Sequence, residues 1–326
     1  MKDFLLSLKQ AFIFVGTVIG AGFATGEEIK VYFASCNLLT VVFSALIFSL
    51  LFVLISYVSS LNLVKNKGRL SIVSRYATLS ALLISIMAMS GASEGLLYSM
   101  TGIKGGGIAT FVVCYACTLK DGKWLGIVNY IAVPLIVVLV VAIFVKVDTG
   151  IDNSGNFGFI SGIGYACMNI FCAGVNISKQ GGASGKKLVV SGAFTFVVFT
   201  VLMVAIKVSI NGAVGSLPLV SVASGVGLKK IAELVVYLAI FTTMLGNLSA
   251  SVYDVKSIVK SRVYTFTFLS FVALVGIFIG FTNIVTFGYP VISFFGVIYV
   301  IYTLILLVFR RKFLFDKGDY SVHTTG

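Results

Sequence analysis

The sequence predicts an all-α, polytopic membrane protein with about ten transmembrane helices. Of its 326 residues, 59% are hydrophobic and only 11% are charged, whereas about a quarter are charged in an ordinary soluble domain. Too few polar side chains remain to cover a surface that faces water, so most of the surface is expected to face lipid. At about 20 apolar residues per helix, a chain of this length holds ten spans joined by short loops.

Charged or glycine-rich breaks separate ten apolar runs. In the first half the predicted spans are 10–34, 38–61, 77–99, 105–119 and 124–146. In the second half they are 156–178, 188–210, 228–253, 263–281 and 284–309. Because each half holds an odd number, the second half enters the membrane from the opposite face, as in a 5+5 inverted repeat. The repeats cover about 8–147 and 155–310 of one transmembrane domain, 1–326, with a short tail at 311–326.

The basic residues indicate the orientation of this domain. Lysine and arginine accumulate in cytoplasmic loops. If both termini are cytoplasmic, few of the 24 lysines and arginines fall in the outer half of the protein. Those few are Lys30, Lys104, Lys146, Lys207, Lys229 and Lys230. Both termini are therefore predicted to be cytoplasmic. The net charge of +13 is explained by the cytoplasmic lysines and arginines. No nucleic-acid partner is expected, since nucleic-acid binding needs a basic stripe on a soluble domain.

The cysteines and the histidine do not indicate a disulfide framework, a metal site or an enzyme. The five cysteines are odd in number and lie mostly in apolar runs, so no disulfide framework is predicted. Cys114 and Cys117 form a C-x-x-C that lacks a second pair, and the sole histidine, His323, is in the tail. No span combines a nucleophile with a base in one motif, so we do not expect an enzyme. No cofactor is expected apart from a coupling ion.

The first predicted span contains an unusual glycine run, with Gly16, Gly20, Gly22 and Gly26 within eleven positions. Unwound backbone at membrane depth is tolerated only where protein or a water-filled cavity surrounds it, and a bound solute and ion can supply the missing partners. Close helix packing is the alternative, because Gly16 with Gly20 and Gly22 with Gly26 fit the small-x-x-x-small pattern.

The sixth and eighth spans add to this interpretation. The sixth contains Gly162, Gly164 and Gly174 and is predicted to be interrupted at mid-depth. Paired interruptions in two halves indicate the binding site of a transporter. In the eighth span, Thr242 and Thr243 are adjacent hydroxyls. They either bond back to the preceding turn or hold a hard cation with oxygen ligands.

The run from Gly16 to Ala24, followed by Gly26, Glu27 and Glu28, resembles the bacterial membrane-protein family labelled YkvI. That family is grouped with amino-acid permeases of the LeuT-type fold in the APC superfamily. The likeness covers the ten-span layout, and its motif matches lie in spans one, six and eight. It implies broken first and sixth helices, a multi-pass protein of a bacterial cell membrane, and a small-molecule solute as partner.

The resemblance also implies an ion site and a solute site. Sodium would be held by two carbonyls of the first helix and by one carbonyl and two hydroxyls of the eighth: Gly16, Ile19, Ala239, Thr242 and Thr243. In proton-coupled relatives a lysine of the fifth span replaces this ion, and residues 124–145 contain no lysine. The carboxylate of the solute would meet N–H groups of the outer half-helix, whose positive end attracts anions. The implied solute contacts are Gly20, Ala21, Gly22, Phe23, Tyr165 and Asn169.

Three acidic positions remain to be explained. Glu94 lies well inside the third span, where a charge is costly and marks function by default. It is a proton-coupling carboxylate, a counter-charge to a substrate amine, or a structural partner of Lys207. Glu27 and Glu28, with Lys30, are expected at the outer mouth, as solvated end-caps or as a gate.

These observations predict a secondary transporter of an amino acid or a similar small amine or carboxylate solute. It would work by alternating access as a sodium symporter. The alternatives are a proton-coupled permease that uses Glu94, and a membrane sensor of the germination-receptor type that binds a solute without transporting it.

Overall fold

The structure, a computed structural model, describes residues 18–61, 69–119, 123–147, 155–180, 185–213 and 215–319. Within these ranges nearly every residue is helical, and the β-pairing is limited to one isolated bridge between Cys36 and Asn156. The predicted cytoplasmic termini and the predicted sodium ligand Gly16 lie outside the described residues.

The helices overlap the predicted spans, although some of their ends differ from the predictions by up to ten residues. In the first half they are α1 Ala21–Thr25, α2 Glu27–Phe33, α3 Leu38–Ser60, α4 Arg69–Thr101, α5 Gly106–Thr118 and α6 Lys123–Lys146. In the second half they are α7 Phe159–Gln180, α8 Lys186–Ser209, α9 Pro218–Gly225, α10 Lys229–Val259, α11 Arg262–Ile279, α12 Phe281–Asn283 and α13 Tyr289–Asp319. A π-helical turn, Ile284–Gly288, joins the last two. The short helix α9 was not predicted.

Six stretches of the described helices are long and apolar enough to cross a membrane. They are Leu38–Ser60, Tyr76–Thr101, Lys186–Ser209, Lys229–Val252, Arg262–Ile279 and Phe281–Val308. Three shorter apolar stretches are Gly106–Thr118, Ile131–Lys146 and Phe159–Ala173. The chain is therefore a multi-pass helical membrane protein, while the full count of ten transmembrane helices stays a prediction.

The first glycine-rich segment is irregular over its described part. The backbone bends at Ile19 and Gly20 before α1 begins. Between α1 and α2, Gly26 adopts a φ of +76°, a conformation that glycine reaches at no steric cost. The chain therefore changes direction within one turn, and the first residues of α2 lie close to those of α1.

The sixth segment differs from its prediction, because α7 is one continuous helix from Phe159 to Gln180. Gly162 of this helix serves close packing. A Cβ at Gly162 would lie 2.9 Å from Cδ1 of Phe43, and the Ser44 hydroxyl donates to the carbonyl of Gly162 at 2.8 Å. Gly162 thus lets α7 approach α3 without a side chain between them. The predicted break in this helix is corrected on this ground.

Two groups of helices surround the first segment. In one group α7 packs against α3 and α13, and α3 also packs against α8. In the other, α4 packs against α5, α10 and α11. The short helix α1 contacts α10 of the second group, whereas α2 contacts α7 and α8 of the first. The irregular segment therefore bridges the two groups.

A short loop fixes where α7 begins. The backbone N–H of Asn37 donates to the carbonyl of Asn156 at 3.0 Å, and the N–H of Asn156 donates to the carbonyl of Ser35 at 3.2 Å. The N–H of Gly158 donates to the Thr40 hydroxyl at 2.9 Å. These bonds tie the residues before α7 to the turn between α2 and α3, so α7 starts beside both.

Candidate solute and ion site

The first segment touches the eighth predicted span at Thr243. Its hydroxyl accepts a hydrogen bond from the backbone N–H of Ala21 at 3.1 Å. A Cβ at Gly20 would lie 2.5 Å from the same oxygen, closer than real Cβ contacts come. Glycine at position 20 therefore allows the hydroxyl of α10 to reach a backbone N–H at the start of α1.

Thr242 forms a local bond on the same helix. Its hydroxyl donates to the carbonyl of Ala239 at 3.0 Å, and the residue is buried. This is the back-bonding alternative for an intramembrane threonine. A hydroxyl oxygen that donates its hydrogen still has two acceptor lone pairs, so the bond leaves Thr242 able to ligate a cation.

The predicted sodium ligands can be tested against this geometry. Ala239 and Thr242 present two oxygens 3.0 Å apart, and Thr243 joins them to the first segment, where Ile19 is buried. All are neutral oxygen donors, the type that hard cations prefer, and carbonyls of irregular backbone are typical sodium ligands in transporters. The described donors are thus of a chemical type that suits sodium, and the sodium site itself stays a prediction.

Glu28 lies in a place that the sequence did not reveal. The turn at Gly26 folds its side chain back over α1, and a Cβ at Gly22 would overlap the Glu28 carboxylate. Glu28 is 7% exposed, and the hydroxyl of Tyr165 donates to its Oε2 at 3.5 Å. The expectation that Glu28 is a solvated end-cap is therefore wrong.

Aromatic rings cluster around Tyr165, whose hydroxyl donates to this carboxylate. The ring of Tyr165 contacts those of Phe33 at 5.2 Å, Tyr32 at 5.3 Å and Phe23 at 6.3 Å between centroids. These rings come from α1, α2 and α7, so the cluster lies where the three helices meet. Phe23 and Tyr165, two of the predicted solute contacts, are brought together here with Gly22.

Two polar groups border the aromatic cluster. The Tyr32 hydroxyl lies 2.6 Å from that of Ser293 on α13. Asn169, which is buried, donates from Nδ2 to the carbonyl of Tyr165 at 3.1 Å, one turn earlier on α7. Since α7 is continuous, this amide does not satisfy an unwound backbone.

Glu94 has a structural environment. Its carboxylate accepts hydrogen bonds from the N–H of Gly105 at 2.9 Å and from that of Gly107 at 2.8 Å. These N–H groups lie at the start of α5, so Glu94 caps that helix. The predicted partner Lys207 instead donates to the carbonyl of Ala34 at 3.0 Å. A structural role for Glu94 agrees with one of the three interpretations, with different partners.

Glu27 is also buried, at 1% exposure, so it is no solvated end-cap either. Its Oε2 has no hydrogen-bond partner among the described residues. Lys30, by contrast, is partly exposed and donates to the carbonyl of Gly215 at 3.2 Å. The three charged residues thus do not form one gate: Glu28 faces α1 and Tyr165, and Lys30 binds the loop before α9.

The two helix groups, joined by an irregular first segment, define a helical membrane protein with a LeuT-type fold. A solved structure described as the inward facing conformation of Mhp1 shares this fold, with a TM-score of 0.58 and 15% sequence identity. The match covers 92% of this chain and 73% of that one. No protein-family model and no curated protein matches the sequence. The resemblance to YkvI therefore stays a prediction.

Proposed function

We propose that this protein is a secondary transporter that moves a small nitrogen-containing solute, such as an amino acid or an amine, by alternating access. The observation that carries this proposal is the hydrogen bond from Ala21 to Thr243, which joins an irregular glycine-rich segment to a hydroxyl of α10. Non-helical backbone buried at the junction of two helix groups is typical of transporter binding sites.

The solute site in this proposal lies among α1, α2 and α7. Gly20, Ala21, Gly22 and Phe23 supply backbone and one ring, and Tyr165 with Asn169 supply the facing wall. Support comes from the contact between Phe23 and Tyr165 and from the burial of Tyr165 and Asn169. Movement of α1, α2 and α7 against the group formed by α4, α5, α10 and α11 would open this site to either side.

Sodium is the proposed coupling ion, held by Ala239, Thr242, Thr243 and Ile19, with Gly16 as a further ligand outside the described residues. When bound, the ion supplies positive charge that draws carbonyl and hydroxyl oxygens of two helices together. The residues of this chain prepare the site, because Gly20 lets α10 approach α1 and Thr242 already holds its oxygen beside that of Ala239.

Uptake into proteoliposomes tests the proposal. Radiolabelled amino acids and amines are offered with an inward sodium gradient, and then with potassium in its place at the same ionic strength. We expect accumulation only with the sodium gradient, abolished by an ionophore that dissipates it. Equal uptake in potassium would exclude sodium coupling, and binding without any uptake would favour the membrane sensor.

A proton-coupled permease that uses Glu94 is less favoured. The N–H groups of Gly105 and Gly107 already occupy this carboxylate, and capping a helix accounts for an acid at this position without a transported proton. Uptake driven by a pH gradient without sodium, and lost in Glu94→Gln, would favour this alternative.

A further inference from the structure

Glu28 provides a buried acid at the centre of the proposed solute site. Its carboxylate lies against the backbone of Gly22, on the helix that the resemblance implied would bind the carboxylate of a solute. The N–H of Ala21 donates to Thr243, so part of the implied anion site is also occupied. Two carboxylates in contact repel each other, and a solute therefore cannot place its own carboxylate beside Gly22 while Glu28 is ionised there.

The partners of Glu28 are too weak for a structural acid. The bond from the Tyr165 hydroxyl, at 3.5 Å, is at the outer limit of hydrogen-bond geometry. Among the described residues, no lysine or arginine forms an ion pair with Glu28. An ionised carboxylate is expensive to bury unless it is paired, and ionisable residues inside a membrane protein mark functional sites by default.

The walls of this site favour an organic cation. Rings of Phe23, Tyr32, Phe33 and Tyr165 cluster where α1, α2 and α7 meet. The faces of aromatic rings attract ammonium and guanidinium groups within about 6 Å of the centroid. Metal cations instead take about six oxygen ligands, and the described surroundings of Glu28 offer mainly rings and the hydroxyl of Tyr165.

We infer that Glu28 is a substrate-specificity residue, whose carboxylate binds the ammonium or guanidinium group of the solute against the aromatic rings of Tyr165 and Phe23. The inference rests on the proposed function and narrows it. The positively charged nitrogen of the solute is required for recognition, whereas a carboxylate on the solute is not. Simple amines and amino acids both satisfy this requirement, and acids without an amine do not.

The test uses three matched sets of solutes. Each contains an amino acid, its decarboxylated amine and its deaminated acid: leucine with isoamylamine and 4-methylpentanoate, phenylalanine with phenethylamine and 3-phenylpropanoate, and alanine with ethylamine and propanoate. The purified full-length protein is titrated with each in constant sodium chloride, and the shift in melting temperature is measured. We expect at least one amine, or its amino acid, to stabilise the protein while the corresponding acid does not. Stabilisation by an acid to the same extent as by its amine would overturn the inference, as would no shift with any amine-bearing solute.

Variants of Glu28 and Glu27 show which of the two buried carboxylates binds the amine. Glu28→Gln keeps the size and removes the charge, so the apparent affinity for the amine should fall roughly tenfold to a hundredfold. The matched control is Glu27→Gln, which removes the neighbouring buried carboxylate and should keep the affinity of the unmodified protein. An unchanged affinity in Glu28→Gln, or an equal loss in Glu27→Gln, would contradict the assignment to Glu28. If Glu28→Gln does not purify, Glu28→Asp should bind the amine more weakly and still reject the acid, and an aspartate variant that accepts the acid counts against the inference.

Uptake of the same solutes separates this inference from the proposed function. An amine that binds through Glu28 and is not taken up contradicts transport and leaves the binding inference intact. Uptake of an acid that carries no nitrogen contradicts the inference and leaves transport intact.

Discussion

The hydroxyl of Thr243 accepts the backbone N–H of Ala21 at 3.1 Å, and this bond depends on the absence of a side chain at Gly20. A Cβ there would lie 2.5 Å from the Thr243 oxygen. The contact joins α1 to α10, and so it joins the segment that holds the proposed solute site to the helix that holds most of the proposed sodium ligands. Changes to either residue should therefore affect both sites together.

The first prediction concerns packing at Gly20. Gly20→Ala should lower the free energy of unfolding by about 1–3 kcal/mol, the usual cost of overpacking a buried contact, and should lower the melting temperature. Gly95→Ala on α4 is the matched control, because nothing lies within 4 Å of its Cβ. It should leave the melting temperature unchanged or raise it slightly, since alanine is the better helix former.

A double variant identifies the clashing atom. In Thr243→Ala the hydroxyl is gone, so Gly20→Ala should cost less in that background than in the unmodified protein. Equal costs in the two backgrounds would show that Thr243 does not restrict position 20.

The second prediction concerns the oxygen of Thr243 as a sodium ligand. Thr243→Ala removes it, whereas Thr243→Ser keeps a hydroxyl on a smaller side chain. Sodium-dependent uptake should be lost or require much higher sodium in the alanine variant and should largely persist in the serine variant. Thr242→Ala should weaken sodium dependence in the same way. The measurement is the sodium concentration at half-maximal uptake, and wild-type sodium dependence in both alanine variants would refute the ion site.

The third prediction concerns Glu94 as a helix cap. Glu94→Ala leaves the N–H groups of Gly105 and Gly107 without their acceptor, and loss of a cap typically costs about 0.5–2 kcal/mol. Glu94→Gln keeps one acceptor oxygen and should cost less. We expect thermal unfolding to show this order while the solute preference stays unchanged. A stable Glu94→Gln variant with altered pH dependence of uptake would restore the proton-coupling alternative.

The fourth prediction uses two glycines of α7. Gly162→Ala forces its Cβ to within 2.9 Å of the Phe43 ring, whereas at Gly164 the nearest atoms are 3.8 Å away. Gly162→Ala should therefore lower the melting temperature and Gly164→Ala should not. If these glycines were needed to break the helix, both substitutions would be harmful, because alanine favours the helical conformation.

The sequence predicted the spans because long apolar runs leave few choices in lipid, and the helix bounds of α3 and α8 differ from their predictions by at most two residues. The resemblance to the YkvI family implied that the first and eighth spans meet, and the backbone N–H of Ala21 does donate to the hydroxyl of Thr243. The sixth-span break failed for a physical reason. A glycine that breaks a helix and one that admits a neighbour have the same local sequence, and only the position of Phe43 on another helix distinguishes them.

The hydrogen-bond partners of Glu94 and Glu28 could not be predicted from the sequence for a related reason. Glu94 meets N–H groups eleven and thirteen positions away through the turn before α5, and no local pattern encodes that distance. The position of Glu28 depends on the turn at Gly26, whose positive φ brings the Glu28 side chain back to Gly22 on α1. The sequence offered one signal for a buried acid, namely that Glu27 and Glu28 directly follow Gly26 inside an apolar span. The same pattern is expected of acids that cap a helix end in solvent, so it does not distinguish a buried acid from an exposed one.

The last prediction concerns the contact between Gly22 and Glu28. Alanine at position 22 would place its methyl group where the Glu28 carboxylate lies. Because a carboxylate ends a flexible side chain, it should move away from Tyr165 while the protein stays folded. Gly22→Ala should therefore keep a near-normal melting temperature without solute and lose the stabilisation by amines. Combining it with Glu28→Gln should add no further loss, since both changes remove the same interaction. Amine binding that survives Gly22→Ala and disappears only in the double variant would mean that the carboxylate acts from another position.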